Sequence, residues 1–247
     1  MDLALLLRFS LLTRVQDYVG QIKSHLAKVD EDGLIVKHTG FLFRDLTVKG
    51  SQASVKSQAN VGNVLTSPLR PWEFLSFQSR PPRQILRDFN GYVDAGELLL
   101  VLGRPGAGCS TFLKTLAGET AGLTLDGSSS ISYDGISQER MRSEFRGEML
   151  YNQESDKHFP HLTVDETLAF AAACRTPRTL PAGMTTKQFA AMTRDLVVDV
   201  FGLSNARQTR VGDDFIRGIS GGERKRLSIA EMAVAGAPLG FWDNSSR

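Results

Sequence analysis

The feature that most restricts the fold of this 247-residue chain is a junction between an apolar run and a glycine-rich loop. Leu98-Leu99-Leu100-Val101-Leu102 leads straight into Gly103-Arg104-Pro105-Gly106-Ala107-Gly108-Cys109-Ser110-Thr111, and a helical pattern follows to Ala117, with Gly118 as its stop. A continuous apolar run predicts a strand covered on both faces of a parallel sheet. Glycines at its end let main-chain N–H groups curl around an anion, and the helix that follows adds partial positive charge. Strand, anion-sized loop and helix in that order predict an α/β nucleotide-binding architecture.

The loop departs from a complete phosphate motif at one position. Ser110 offers a hydroxyl to Mg²⁺, but Cys109 stands where the motif requires Lys. A thiol places no full positive charge between phosphates. Taken alone, the loop reads equally well as a glycine turn that serves only chain geometry, so its surroundings decide.

Two further patterns supply those surroundings. Ile219-Ser220-Gly221-Gly222-Glu223-Arg224-Lys225-Arg226 opens a helix with a hydroxyl and two glycines. An N-capped helix with a basic solvated face explains Ser220 and Arg224–Arg226, but not glycines that cost ~1 kcal/mol each relative to Ala. Leu239-Gly240-Phe241-Trp242-Asp243 is an apolar strand ending in a carboxylate suited to holding a Mg²⁺-bound water. Asn244 follows, and an amide oxygen is too weakly basic to activate water.

Composition bounds the rest. The chain is 41% hydrophobic with a net charge of +2, which excludes wholesale disorder and a broad polyanion-binding surface. Cys109 and Cys174 give neither a disulfide framework nor a metal spacing. Leu3–Leu12 is broken by Arg8 and Ser10, so it predicts an amphipathic helix to about Lys28 and not a membrane span. Residues 1–39 read as a helical lead-in, 40–84 as a strand at 41–48 and a polar connection with a short helix at 72–77, and 85–247 as the main domain. Short strands are expected at 131–135 and 148–151. Thr163 and Thr185 open capped helices, the first ending before Pro177, and the last helix runs from Gly221 to Ala235.

On GRPGAGCST (103–111), YNQESDKHFPHLTV (151–164), VFGLSNARQTRVGDDFIRGISGGERKR (200–226) and AGAPLGFWDNSSR (235–247), the chain resembles the ABC-transporter nucleotide-binding domains. It is most similar to the first such domain of fungal pleiotropic-drug-resistance transporters of the G subfamily, which also has Cys for Lys and Asn for Glu. The resemblance covers about residues 41–247. It implies an α/β P-loop NTPase fold of RecA-like type, with a helical subdomain at about 160–235 and a small β subdomain, incomplete after the strand ending at Asp243.

The resemblance also implies roles. Gly103, Gly106, Ala107, Gly108, Cys109, Ser110 and Thr111 would hold ATP, with Ser110 and Asp243 toward Mg²⁺. Glu154 falls at the glutamine-loop position and Asn244 replaces the general base. Ser220, Gly221, Gly222 and Glu223 form the signature that completes a partner domain's ATP site. The implied partners are a second nucleotide-binding domain and membrane domains, with the exported substrate bound elsewhere and no nucleic acid. The implied place is the cytoplasmic face of a membrane, the plasma membrane by the family's habit. Phe74, Phe77 and Tyr92 are candidates for adenine stacking. A stand-alone nucleotide-binding pseudo-ATPase is the alternative, as is a non-functional fragment. Because the resemblance stops at an uncompleted sheet edge, the isolated chain is expected to be inactive and unstable or aggregating.

Overall fold

A computed structural model describes residues 39–50, 83–178, 180 and 183–244. The expected lead-in helix, the short helix at 72–77, and the candidates Phe74 and Phe77 lie outside the described residues. The chain divides into two compact units, one over residues 38–151 and the other from Asn152 onward.

The first unit is built around an antiparallel sheet. Strand β1 (Phe41–Gly50) pairs along one edge with β2 (Arg83–Val93), from Phe41 opposite Val93 to Gly50 opposite Arg83. Its other edge takes β3 (Leu123–Leu125) and β4 (Ser130–Tyr133), and β5 (Ile136–Ser137) extends the sheet beyond β4. Asp134 and Gly135 join β4 to β5 with φ of 46° and 85°. Two successive positive φ values match the right-handed twist of a tight hairpin, and Asp-Gly tolerates them.

Helix α1 (Cys109–Leu116) packs on this sheet. Phe112 meets Phe43 edge-on with ring centroids 5.3 Å apart, and Phe43, Leu46, Val48, Leu86, Leu116 and Ile131 are buried with it. At its C-terminal end the buried Tyr133 hydroxyl donates to the Leu116 carbonyl, and Gln138 Nε2 donates to the Thr115 carbonyl at 2.7 Å. These donors satisfy carbonyls that a helix end otherwise leaves unpaired. Burial pushes the Tyr133 phenol up to about 12, so it stays a donor at neutral pH. Helix α2 (Gln138–Glu144) follows, and β6 (Met149–Asn152) runs across the boundary into the second unit.

The second unit is helical. Helices α3 (Val164–Arg175), α4 (Thr186–Val200) and α5 (Gly221–Ala235) share a core of Val164, Leu168, Val198, Leu203, Val211, Leu227 and Ala230. All three open with complete capping boxes, Thr163–Glu166, Thr185–Gln188 and Ser220–Glu223. Arg207 joins α3 to α4, with contacts of 2.6 Å to both Asp165 and Asp195. Strand β7 (Leu239–Trp242) follows α5 and pairs with β6, and the Asp243 N–H donates to the Asn152 carbonyl at 2.9 Å.

Two expectations are corrected. Leu98–Leu102 forms no strand among the described residues, and Leu98, Leu100 and Leu102 are 89%, 70% and 80% exposed. A strand exists only where a neighbour accepts its ladder, and no described strand pairs with this run. Conversely, residues 83–93 were expected to begin with polar connection and instead form β2. Bulges in the β1–β2 ladder, with Asp45 and Asp88 at φ of 49° and 52°, break the alternation by which a strand is recognised.

Candidate functional site

The glycine loop lies in the first unit. Gly106 and Gly108 have φ of 82° and 98°, a conformation that side-chain-bearing residues rarely adopt. A Cβ on Gly103 would stand 2.6 Å from Cys109 Sγ. The Ala107 N–H closes the loop on the Arg104 carbonyl at 2.9 Å, and the Phe112 N–H reaches Gly108 O at 2.8 Å. Cys109, Ser110 and Thr111 form the first turn of α1, where N–H groups have no helical acceptor. Gly103 through Thr111 therefore form one tight turn that runs into the first turn of α1, with the Cys109 thiol where a phosphate loop has an ammonium group. Tyr92, on β2, is 69% exposed and makes no described ring contact.

In the second unit Asp243 is buried at the end of β7, where its main chain is held by Asn152. A carboxylate at a strand end is the kind of oxygen ligand Mg²⁺ takes, with phosphates and waters completing its shell. Asn244 follows in a left-handed conformation (φ 51°), and its Nδ2 donates to Glu154 Oε1 at 2.8 Å. The two positions expected to carry an amide and a carboxylate for water activation thus hold each other, with those chemistries exchanged between them. Sequence reading placed each residue separately and did not anticipate their contact.

The Ser220–Glu223 turn is also in the second unit. Ser220 Oγ accepts the Glu223 N–H at 3.3 Å, and Glu223 Oε2 accepts from the Ser220 N–H at 2.8 Å and hydroxyl at 2.7 Å. Those bonds, the main-chain one foremost, hold the Glu223 carboxyl below the usual carboxylate range. The glycines nearby divide into two kinds. A Cβ on Gly218 would lie 2.2 Å from the Val211 carbonyl oxygen, so the fold itself demands glycine there. A Cβ on Gly221 would meet nothing within 4 Å, and on Gly222 only the tip of Arg226 at 3.8 Å. Neither has a positive φ. Among the described residues, no neighbour crowds a Cβ at 221 or 222.

Further along α5 lies a polar cluster that no local pattern announces. The Lys225 ammonium, on a residue only 8% exposed, donates to the Glu154 carbonyl at 3.2 Å and lies 3.6 Å from Asp156. Ser228 Oγ donates to Asp156 at 2.6 Å, and His158 bridges Ser228 at 2.9 Å and Glu231 at 3.1 Å. Lys225, Ser228 and Glu231 recur at three-residue spacing on α5, but nothing local in 154–158 announces their partners.

A mixed α/β chain with a glycine loop opening a helix, an aspartate closing a strand and a serine–diglycine helix start is a P-loop NTPase. The ABC transporter family model matches residues 86–247, so the chain belongs to the ABC transporter family, of which it carries the ATP-binding domain. It is 51% identical over 226 residues to the ABC multidrug transporter atrA of Aspergillus oryzae, covering 92% of this chain and 15% of that protein. It is 52% identical over 219 residues to the ABC multidrug transporter atrI of Aspergillus fumigatus, covering 89% of this chain and 15% of that one. With the ABC-type transporter vrcC of Aspergillus aculeatus it shares 48% over 224 residues, 90% of this chain and 16% of the relative. The chain thus spans about one-seventh of the length of these relatives. Among the described residues, no helix is long and apolar enough to cross a membrane.

Proposed function

We propose that this chain acts as the first, degenerate nucleotide-binding domain of a fungal pleiotropic-drug-resistance efflux transporter of the G subfamily. It holds ATP and Mg²⁺ at its own loop with little or no hydrolysis. Its Ser220-Gly221-Gly222 turn completes the competent ATP site of a second nucleotide-binding domain. Membrane domains of the same transporter carry the xenobiotic and fix the assembly to a membrane, the plasma membrane in this reading.

The observation that carries the reading is a pair of glycines that no described neighbour crowds. Gly221 and Gly222 are exposed, open around their Cβ positions and helical, which supports a role for their missing side chains toward something outside the chain. Main-chain N–H groups at a helix start suit an anion, and without Cβ atoms a triphosphate can approach them closely. Bound Mg·ATP would supply the γ-phosphoryl group that is transferred to water as ADP leaves. The residues of this chain hold and orient it. In this reading main-chain N–H groups of the loop glycines and of Cys109, Ser110 and Thr111 would donate to phosphate, the Ser110 hydroxyl and the Asp243 carboxylate would each be offered to Mg²⁺, and Asn244 lacks an oxygen basic enough to take a proton from water.

In the assembled transporter, Ser220→Arg is expected to abolish ATP turnover, while Cys109→Ala leaves it nearly unchanged. The isolated chain is expected to show no turnover at rates typical of ABC proteins. The reverse ranking of the two variants, or a fast isolated chain, contradicts the reading.

A further inference from the structure

We infer that Lys225 is a positioning residue whose buried ammonium clasps the 154–158 segment to α5, so that Glu154 and the Ser220–Gly222 turn move as one piece. The contacts form a continuous chain. Lys225 holds the Glu154 main chain at 3.2 Å, and Asn244 holds the same residue's side chain at 2.8 Å. One helical turn on, Ser228 Oγ donates to Asp156 at 2.6 Å and lies 2.9 Å from His158 Nε2. His158 Nδ1 then faces Glu231, a further three residues along α5, at 3.1 Å. Three successive positions on one face of α5 therefore grip three residues of one segment, each across some seventy residues of sequence.

Burial gives the clasp its stiffness. The His158 side chain is 3% exposed and that of Lys225 10%. A buried ammonium is tolerated only while its partners satisfy it, so the segment cannot drift from the helix without leaving a charge uncompensated. Lys225 stands five residues after Ser220 on a helix whose start is pinned by its capping box. Displacement of Glu154 is displacement of the serine–diglycine turn. The meaning for transport rests on the proposed function, because Glu154 then belongs to the chain's own ATP site and the turn to its partner's. The clasp would tie the state of the idle site to the geometry of the working one. Its existence does not rest on that reading.

The test is amide hydrogen exchange on the full chain without nucleotide, comparing the native protein with Lys225→Met, Lys225→Arg and Ser228→Ala. Lys225→Met is expected to speed exchange about tenfold in both 153–158 and 221–226, as loss of a hydrogen bond to a charged group implies. Lys225→Arg restores most of the protection, and Ser228→Ala loosens both segments together to a smaller degree. Residues 42–49 of the β1 strand are unaffected. Acceleration in only one of the two segments, acceleration spread evenly over the chain, or no rescue by arginine overturns the clasp. Titration of the same samples with a fluorescent ATP analogue separates the two ideas. Failure of the native chain to bind it counts against the proposed function and leaves the exchange result to decide the clasp.

Discussion

At the scale of single residues, the proposed function rests on chemical type: in that reading Cys109 stands in place of a cation, Asn244 of a base, and Glu154 of an amide, and the Asn244 side chain donates to Glu154. The positions themselves are visible in the sequence, because each lies inside a motif that the residues around it mark out. The hydrogen bond between Glu154 and Asn244 is not, since ninety residues separate them. Ser220 and Glu223 make the opposite case, because the spacing that caps a helix is visible locally. The Glu223 carboxyl is held below its ordinary range by the Ser220 N–H and hydroxyl. A lowered carboxylate stabilises the fold above its unfolded pKa and loses that contribution as pH falls through the lowered folded value. Glu223→Ala is therefore expected to cost about 0.5–1 kcal/mol at pH 7, with the gap closing as pH falls through the lowered folded value. Denaturant midpoints of the two proteins across an acid titration measure it, and a gap that persists in strong acid removes the carboxylate from the account.

At the scale of elements, legibility followed local punctuation. The three capped helices and β7 stand where their start and stop signals put them, to within a residue or two. Strand β2 was hidden because its pairing tolerates bulges at Asp45 and Asp88, which scramble the period-two pattern. The run Leu98–Leu102 failed in the other direction. Its composition specifies a strand that wants cover on both faces, but cover is a property of neighbours and not of the segment. The consequence is a row of exposed leucines, with Leu98 at 89% and Leu102 at 80%. Contiguous apolar surface of this kind promotes association. The purified chain should show concentration-dependent self-association by light scattering, and Leu98→Lys with Leu102→Lys should reduce it. Equal association in the doubly substituted chain would move the adhesive surface elsewhere.

At the scale of the whole molecule, the chain carries an ABC ATP-binding domain and divides into two compact units. The glycine loop belongs to the unit built on the antiparallel sheet. Asp243, Asn244, Glu154 and the Ser220–Gly222 turn belong to the helical one. Sequence similarity to the fungal multidrug transporters spans both units. A net charge of +2 provides no strong general field for anions, so the proposed anion recognition rests on local turns.

The measurement that bears most directly on the central claim pairs the stability of Gly221→Ala with ATP turnover in the assembled transporter. Alanine at this open, helical position should leave the isolated chain as stable as before or more so, by up to about 1 kcal/mol. The same methyl group should suppress turnover at the partner's site by at least about tenfold, a loss of roughly 1.4 kcal/mol of transition-state stabilisation. A stable variant with undiminished turnover would contradict the claim that this turn serves a triphosphate outside its own chain.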